Sequence, residues 1–168
     1  GGRHRLMGSA SPLRLALVWG GPGSFIGPVH RMAAELDGAI RLTAGVFSRD
    51  AARNAAAGAA WTIAPDRVYS DYRAMIEAEA RREDGIDMVA VVTPNHLHFE
   101  VAKAALEAGL HVMSDKPATL DLAQAEALAR VVAASGRRRL ILRSFIKKTQ
   151  KTPRMEIEIA LKRLSEVE

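Results

Sequence analysis

The sequence predicts an α/β fold: a doubly wound, mostly parallel, Rossmann-like sheet with a C-terminal helical tail. Three observations point there. Apolar runs of strand length recur at Leu13 to Trp19, Ala39 to Phe47, Met88 to Thr93 and Leu110 to Ser114. Between them lie alanine-rich stretches whose apolar residues recur at helical spacing, and the connecting loops are short. Strands that alternate with helices in this way form βαβ units, whose parallel strands are covered on both faces.

The first run, "LRLALVW", is closed by "GGPGSFIG", a buried strand running into a glycine loop. From Val29 the spacing of Met32, Ala33 and Leu36 is helical, and Gly38 is placed to end that helix before the strand "AIRLTAGVF". Ser48 or Asp50 can cap the next helix, Ala51 to Ala57, and Gly58 to Pro65 reads as loop around Trp61. "RVYSDYRAMIEAEARRE" gives a short extended piece and a helix with a narrow inner stripe, since Tyr72, Met75, Ile76 and Glu79 mix polar and apolar faces. "MVAVVT" is a fully buried strand ended by Pro94. Asn95 is a plausible N-cap for a helix that carries Val101, Ala102, Ala105 and Leu106 as far as Gly109. After the strand "LHVMS", Thr119 or Asp121 opens a helix to about Ala134, and "RLILRSF" supplies a last strand. The expected organisation is a tag or disordered leader over 1–12, one dinucleotide-binding domain over 13–144, and a basic tail with an amphipathic helix over 145–168.

Ligands of wound sheets sit beyond the carboxyl ends of the strands. Four turns would meet there: the glycine loop, Ser48-Arg49, Thr93-Pro94-Asn95 and Asp115-Lys116-Pro117. Gly20, Gly21, Gly23 and Gly27 between strand and helix would let bare amides approach a pyrophosphate, although Trp19 stands where the first glycine of such a loop belongs. Ser48 and Arg49 follow the second strand at the place where Asp or Glu holds an adenosine ribose in NAD sites. A hydroxyl and a guanidinium suit a 2′-phosphate and so NADP, or else they are a cap and a solvated side chain. Lys116 beside Asp115 and Pro117 reads either as a surface ion pair or as a lysine holding a substrate oxygen near a nicotinamide. His96 and His98 are two apart and cannot chelate as an i, i+4 pair would. His30 and His111 read as isolated packing groups, so no metal site is expected.

Composition narrows the classes further. No apolar run approaches the roughly 20 residues of a bilayer span, so no membrane is expected, and the absence of cysteine fits a reducing cytoplasm. Residues 137–168 hold ten Lys/Arg against four Asp/Glu, whereas 1–136 are close to neutral, so the basicity belongs to the tail. With Phe145 alone among its basic residues, the tail lacks the aromatic interleaving of single-strand nucleic-acid binders, and a nucleic-acid role is disfavoured.

The stretch "MVAVVTPNHLHFEVAKAALEAGLHVMSDKP", with its TPN-x-x-H turn and its D-K-P in place of E-K-P, resembles the Gfo/Idh/MocA family of oxidoreductases. The likeness runs from about Leu13 to Arg137, and "GGPGSFIGPVHRMA" is similar to the inositol or sugar dehydrogenase-like branch. It implies that Gly20, Gly21, Gly23, Ser24, Phe25 and Ile26 serve the pyrophosphate and Ser48 and Arg49 the adenosine. It further implies that Thr93, Pro94, Asn95 and His98 line the nicotinamide ribose side, and that Asp115 and Lys116 sit at the catalytic end with Lys116 as the catalytic group. NADP or NAD is the implied cofactor, and hydride transfer on a sugar or polyol is the implied chemistry. Family enzymes add a second α+β domain that supplies the substrate pocket, and the chain stops before it could begin. The expectation is therefore a truncated NAD(P)-dependent oxidoreductase-like protein, and the alternative is a non-catalytic binding or interaction module with a tail for dimerisation or nucleic-acid contact. "FIKKTQKTPRMEIEIALKR" resembles the C-terminal end of phage-derived RelE/HigB-like toxins. Its stripe of Ile157, Ala160, Leu161, Leu164 and Val167 suggests a homodimer through the tail helix or an exposed sheet face.

Overall fold

The computed structural model describes residues 11–134 and, for the backbone, 140–141; the leader and the 145–168 tail lie outside the described residues. The strands are β1 (Leu13–Val18), β2 (Ile40–Val46), β3 (Met88–Val91), β4 (His111–Ser114) and β5 (Leu140–Ile141), and the helices α1 (Gly27–Glu35), α2 (Ala51–Ala60), α3 (Tyr72–Ala80), α4 (Asn95–Glu107) and α5 (Leu122–Ala134). The sheet order is β2-β1-β3-β4-β5 with every pair parallel. An isolated parallel bridge from Val68 to Gly45 lies on the outer edge of β2, where a doubly wound sheet would carry one more strand. The chain reverses direction across the sheet between β1 and β3, and the crevice above that switch point is where such folds hold ligands.

The central strands are apolar on both faces because both are covered. Ala16, Val18, Val89, Val91 and Val112 point into a core closed by Met75 and Ile76 of α3, Val101, Ala102, Ala105 and Leu106 of α4, and Leu128 of α5. Leu15, Leu17, Leu42, Met88 and Ala90 point the other way, into a second core with Phe47, Trp61 and Ile63. At roughly 1.5–3 kcal/mol per buried large aliphatic side chain, these two layers are the main source of stability.

Several boundaries differ from the sequence expectation. α1 starts at Gly27 rather than Val29, because Pro28 is accepted in a helix's first turn, where no amide is needed. α2 runs to Ala60, past Gly58; a Cβ at Gly58 would come 2.3 Å from Val68 Cγ2, so this glycine makes room for the segment that bridges to β2. Asp50 is the α2 cap, accepting from Arg53 N. Asp121 takes the corresponding place before α5, accepting from Gln124 N. Asn95 is the first residue of α4 and Pro94 its cap position, so the N-cap reading of Asn95 is corrected: no side chain caps this helix.

Glu79 overturns the reading of α3 as a helix of mixed faces. Its carboxylate is fully buried, bonded by Arg67 Nε at 3.0 Å and Tyr69 Oη at 2.8 Å, by Arg67 Nη2, and by Ile86 N at 3.1 Å. A buried charge is tolerable only when its hydrogen-bonding capacity is met, and here one cation and two neutral donors meet it. Burial, reinforced by the hydrogen bond to Glu79, pushes the Tyr69 phenol up to about 12 from an ordinary 10. An acid whose pKa is raised by folding adds stability below its unfolded pKa and loses it as pH rises through the folded value. Urea midpoints are expected to fall between pH 10 and 12, more steeply in the native protein than in Tyr69→Phe; parallel profiles would refute this coupling.

Candidate functional site

The carboxyl edge of the sheet is assembled from four turns. At the first, Gly20 has φ +71 and a Cβ there would come 3.1 Å from Gly27 Cα, Leu17 Cδ2 and Val92 Cγ1. Gly27 is more demanding: a Cβ would stand 1.5 Å from Gly20 O and 2.7 Å from Gly20 Cα. The start of α1 therefore rests directly on the end of β1, which only glycine permits. Between them Ser24 N donates to Gly21 O at 2.9 Å, and Gly27 N donates to Ser24 Oγ at 3.1 Å. The amides of Gly23, Phe25 and Ile26 donate to no acceptor among the described residues, and nothing lies within 4 Å of a Cβ built at Gly23. Phe25 is 92% exposed. These amides on bare backbone are the donor set that an oligophosphate takes.

Trp19, just before this loop, has φ 70. A left-handed conformation costs a non-glycine residue about 1–2 kcal/mol, so the position asks for glycine and holds an indole instead. The ring is partly buried against the core, and the Arg49 guanidinium carbon lies 5.5 Å from its centroid.

The second turn follows β2. Its backbone is held by Asn54, a buried residue that the sequence reading missed: Oδ1 accepts from Phe47 N at 2.7 Å and Ser48 N at 3.2 Å, while Nδ2 donates to Tyr69 O at 2.8 Å. Ser48 Oγ accepts from Asp50 N at 3.1 Å, and Arg49 is exposed. A crevice of about 380 Å³ opens beside them, lined also by Ala51, Ala55 and Ser70.

The third and fourth turns are tied together by His98. It is buried, with Nε2 2.6 Å from Thr93 O and Nδ1 2.6 Å from Pro117 O. Both ring nitrogens are engaged by the backbone of the two turns that it joins. The Lys116–Pro117 peptide is cis. Asp115 does not pair with its neighbour Lys116. Its carboxylate lies 3.3 Å from Nε2 of His30 on α1, so the histidine read as isolated links the first turn to the last. Lys116 is exposed and has no carboxylate partner among the described residues, which removes the surface-ion-pair reading. Thr93 Oγ1 is a buried oxygen without a hydrogen-bond partner. Buried hydroxyls are nearly always satisfied, so an orphan at this crevice fits a polar ligand group. No cluster of His, Cys, Asp or Glu suited to a metal ion occurs among the described residues.

Residues 16–142 match the model of the Gfo/Idh/MocA oxidoreductases, described as an oxidoreductase family with an NAD-binding Rossmann fold. The chain belongs to that family. It is 40% identical over 129 residues to the uncharacterized oxidoreductase YfiI of Bacillus subtilis, covering 76% of this chain and 33% of that protein. It is 37% identical over 103 residues to the UDP-N-acetylglucosamine 3-dehydrogenase of Acidithiobacillus ferrooxidans, covering 61% of this chain and 30% of that enzyme. Among solved structures, an inositol dehydrogenase homolog of Azotobacter vinelandii in complex with NAD+ superposes with a TM-score of 0.75 at 45% identity, covering 78% of this chain and 34% of that one. The chain thus spans about a third of the length of these relatives.

Replacing His98 with Ala would remove the ring between the Thr93 and Pro117 carbonyls. A neutral imidazole has one N–H, so one carbonyl would lose a donor, at a cost of about 1–3 kcal/mol when left unpaired, and the missing ring would leave a cavity beside the core. The expected outcome is a stability loss of about 2–4 kcal/mol by urea denaturation; a loss within experimental scatter would show that the two turns do not depend on the imidazole.

Proposed function

We propose that this chain is the dinucleotide-binding part of an oxidoreductase that moves a hydride between NAD or NADP and a sugar or polyol. The observation that carries this reading is the meeting of four turns above the switch point, with unpaired loop amides on one side and the orphan hydroxyl of Thr93 on the other. Support for the substrate class comes from the inositol dehydrogenase homolog and the amino-sugar nucleotide dehydrogenase among its relatives.

In this reading the amides of Gly20, Gly21, Gly23, Phe25 and Ile26 hold the pyrophosphate at the start of α1, and Ser24 shapes that loop through its bonds to Gly21 O and Gly27 N. Ser48 and Arg49 take the adenosine ribose, and Thr93, Pro94 and Asn95 the nicotinamide ribose side. His98 is a positioning residue that fixes the third turn against the fourth. The nicotinamide supplies the hydride acceptor or donor. Lys116, exposed at the end of β4, is the group that holds the substrate oxygen and the proton on it, while Asp115 is held by His30. The cytoplasm is the proposed compartment.

A homodimer, or an interaction module, is favoured by one further observation. Val29 and Met32 on α1, Leu36 at its C-terminal end and Phe25 in the loop before it are exposed, an apolar patch that single surface residues do not make. The toxin-like tail belongs to the same proposal.

Calorimetric titration with NADPH and NADH is expected to show saturable 1:1 binding of at least one of them. In Gly27→Ala, affinity should fall at least about tenfold, because a Cβ against Gly20 O displaces the loop and tenfold corresponds to only about 1.4 kcal/mol. No saturation with either dinucleotide by millimolar concentration would overturn the reading.

A further inference from the structure

Trp19 occupies a backbone conformation that suits glycine and keeps an indole there. Besides its packing against the core, the ring meets Arg49, whose guanidinium carbon stands 5.5 Å from the ring centroid. Arg49 belongs to a different turn and has no carboxylate partner among the described residues, so the indole is its anchor. An arginine on an exposed turn otherwise samples many rotamers, and stacking on an aromatic face selects those that lay the planar fork flat.

The surroundings of Arg49 define what that fork could meet. Ser48 Oγ already accepts from Asp50 N, which leaves its O–H to donate outward. Asp50, the only carboxylate adjacent in sequence, is turned to cap α2 by accepting from Arg53 N. The end of β2 therefore presents donors, a hydroxyl and a guanidinium, and its nearest carboxylate is committed elsewhere. A ribose 2′-hydroxyl is best recognised by a carboxylate acceptor, whereas a 2′-phosphate needs donors and positive charge.

We propose that Trp19 is a positioning residue for cofactor choice: by stacking on Arg49 it holds the guanidinium ready for a dinucleotide bearing a 2′-phosphate, and so favours NADP over NAD. The inference rests on the dinucleotide-binding reading above and goes beyond it.

The test is the pair of dissociation constants for NADPH and NADH, measured by calorimetry on the full chain and on Trp19→Gly, Trp19→Phe and Arg49→Ala. The native chain should bind NADPH at least about tenfold tighter, as expected for one well-placed charged contact. Arg49→Ala should bring the ratio to about one. Trp19→Gly relieves the backbone and is expected to fold; it should weaken NADPH about fivefold and leave NADH within about twofold, the size of an exposed cation–π contact. Trp19→Phe, which keeps an aromatic face, should restore most of the ratio. A loss shared equally by both dinucleotides would mark Trp19 as merely structural and overturn the proposal, as would an unchanged ratio in Trp19→Gly or equal affinities in the native chain. Failure of both dinucleotides to bind the native chain would instead sink the underlying reading, and this proposal with it.

Discussion

The close approach of Gly27 to Gly20 is the constraint on which the rest of this rim depends. Two backbones meet where a single methyl group would overlap a carbonyl oxygen. This contact lets the first turn of α1 sit over the end of β1, which turns the loop amides toward the crevice instead of into the protein. It also brings His30 of α1 within 3.3 Å of Asp115, so the glycine contact reaches across β1 and β3 to the turn after β4. His98 then fixes that turn to the one after β3. Each link is short and made largely to backbone, so the rim behaves as one framework rather than as four independent loops.

Much of this was legible in the sequence. Uninterrupted apolar runs and helical spacing gave the five strands and five helices found among the described residues, in the observed order, since a strand buried on both faces can hardly be written any other way. The four turns could be placed at one edge because parallel strands all end on the same side. What could not be read were contacts between residues far apart in the chain. Asn54 reads as one polar residue in an alanine-rich helix, yet its side chain holds the backbone of the turn after β2 and of Tyr69. Glu79 looks like a flaw in an apolar stripe until Arg67, twelve residues earlier, is placed against it. His30 and Asp115 are 85 residues apart. Propensity and periodicity are local signals and carry no trace of such pairs.

Cavity size points elsewhere. A groove of about 810 Å³ runs along the outer edge of β2, lined by Arg31, Arg41, Trp61 and Ile63 among others, and it is larger than the crevice beside Ser48 and Arg49. Its charges are mostly spoken for: Arg31 pairs with Glu35 at 3.0 Å and stacks on Trp61, and Arg67 is bound to Glu79. At the carboxyl edge, by contrast, the amides of Gly23, Phe25 and Ile26, the hydroxyl of Thr93 and the ammonium of Lys116 lack protein partners among the described residues. Unmet hydrogen-bonding capacity is the better guide to a ligand than volume, because a folded protein rarely leaves it unmet without a use.

The most direct test of this account is the map of amide chemical-shift changes when NADPH or NADH is titrated into the isotopically labelled protein. Changes confined to Gly20–Ile26, Ser48–Arg49, Thr93 and Asn95, and Asp115–Lys116 would place the dinucleotide across all four turns. Changes gathered instead at residues 40–43 and 61–64, along the β2 groove, would contradict it.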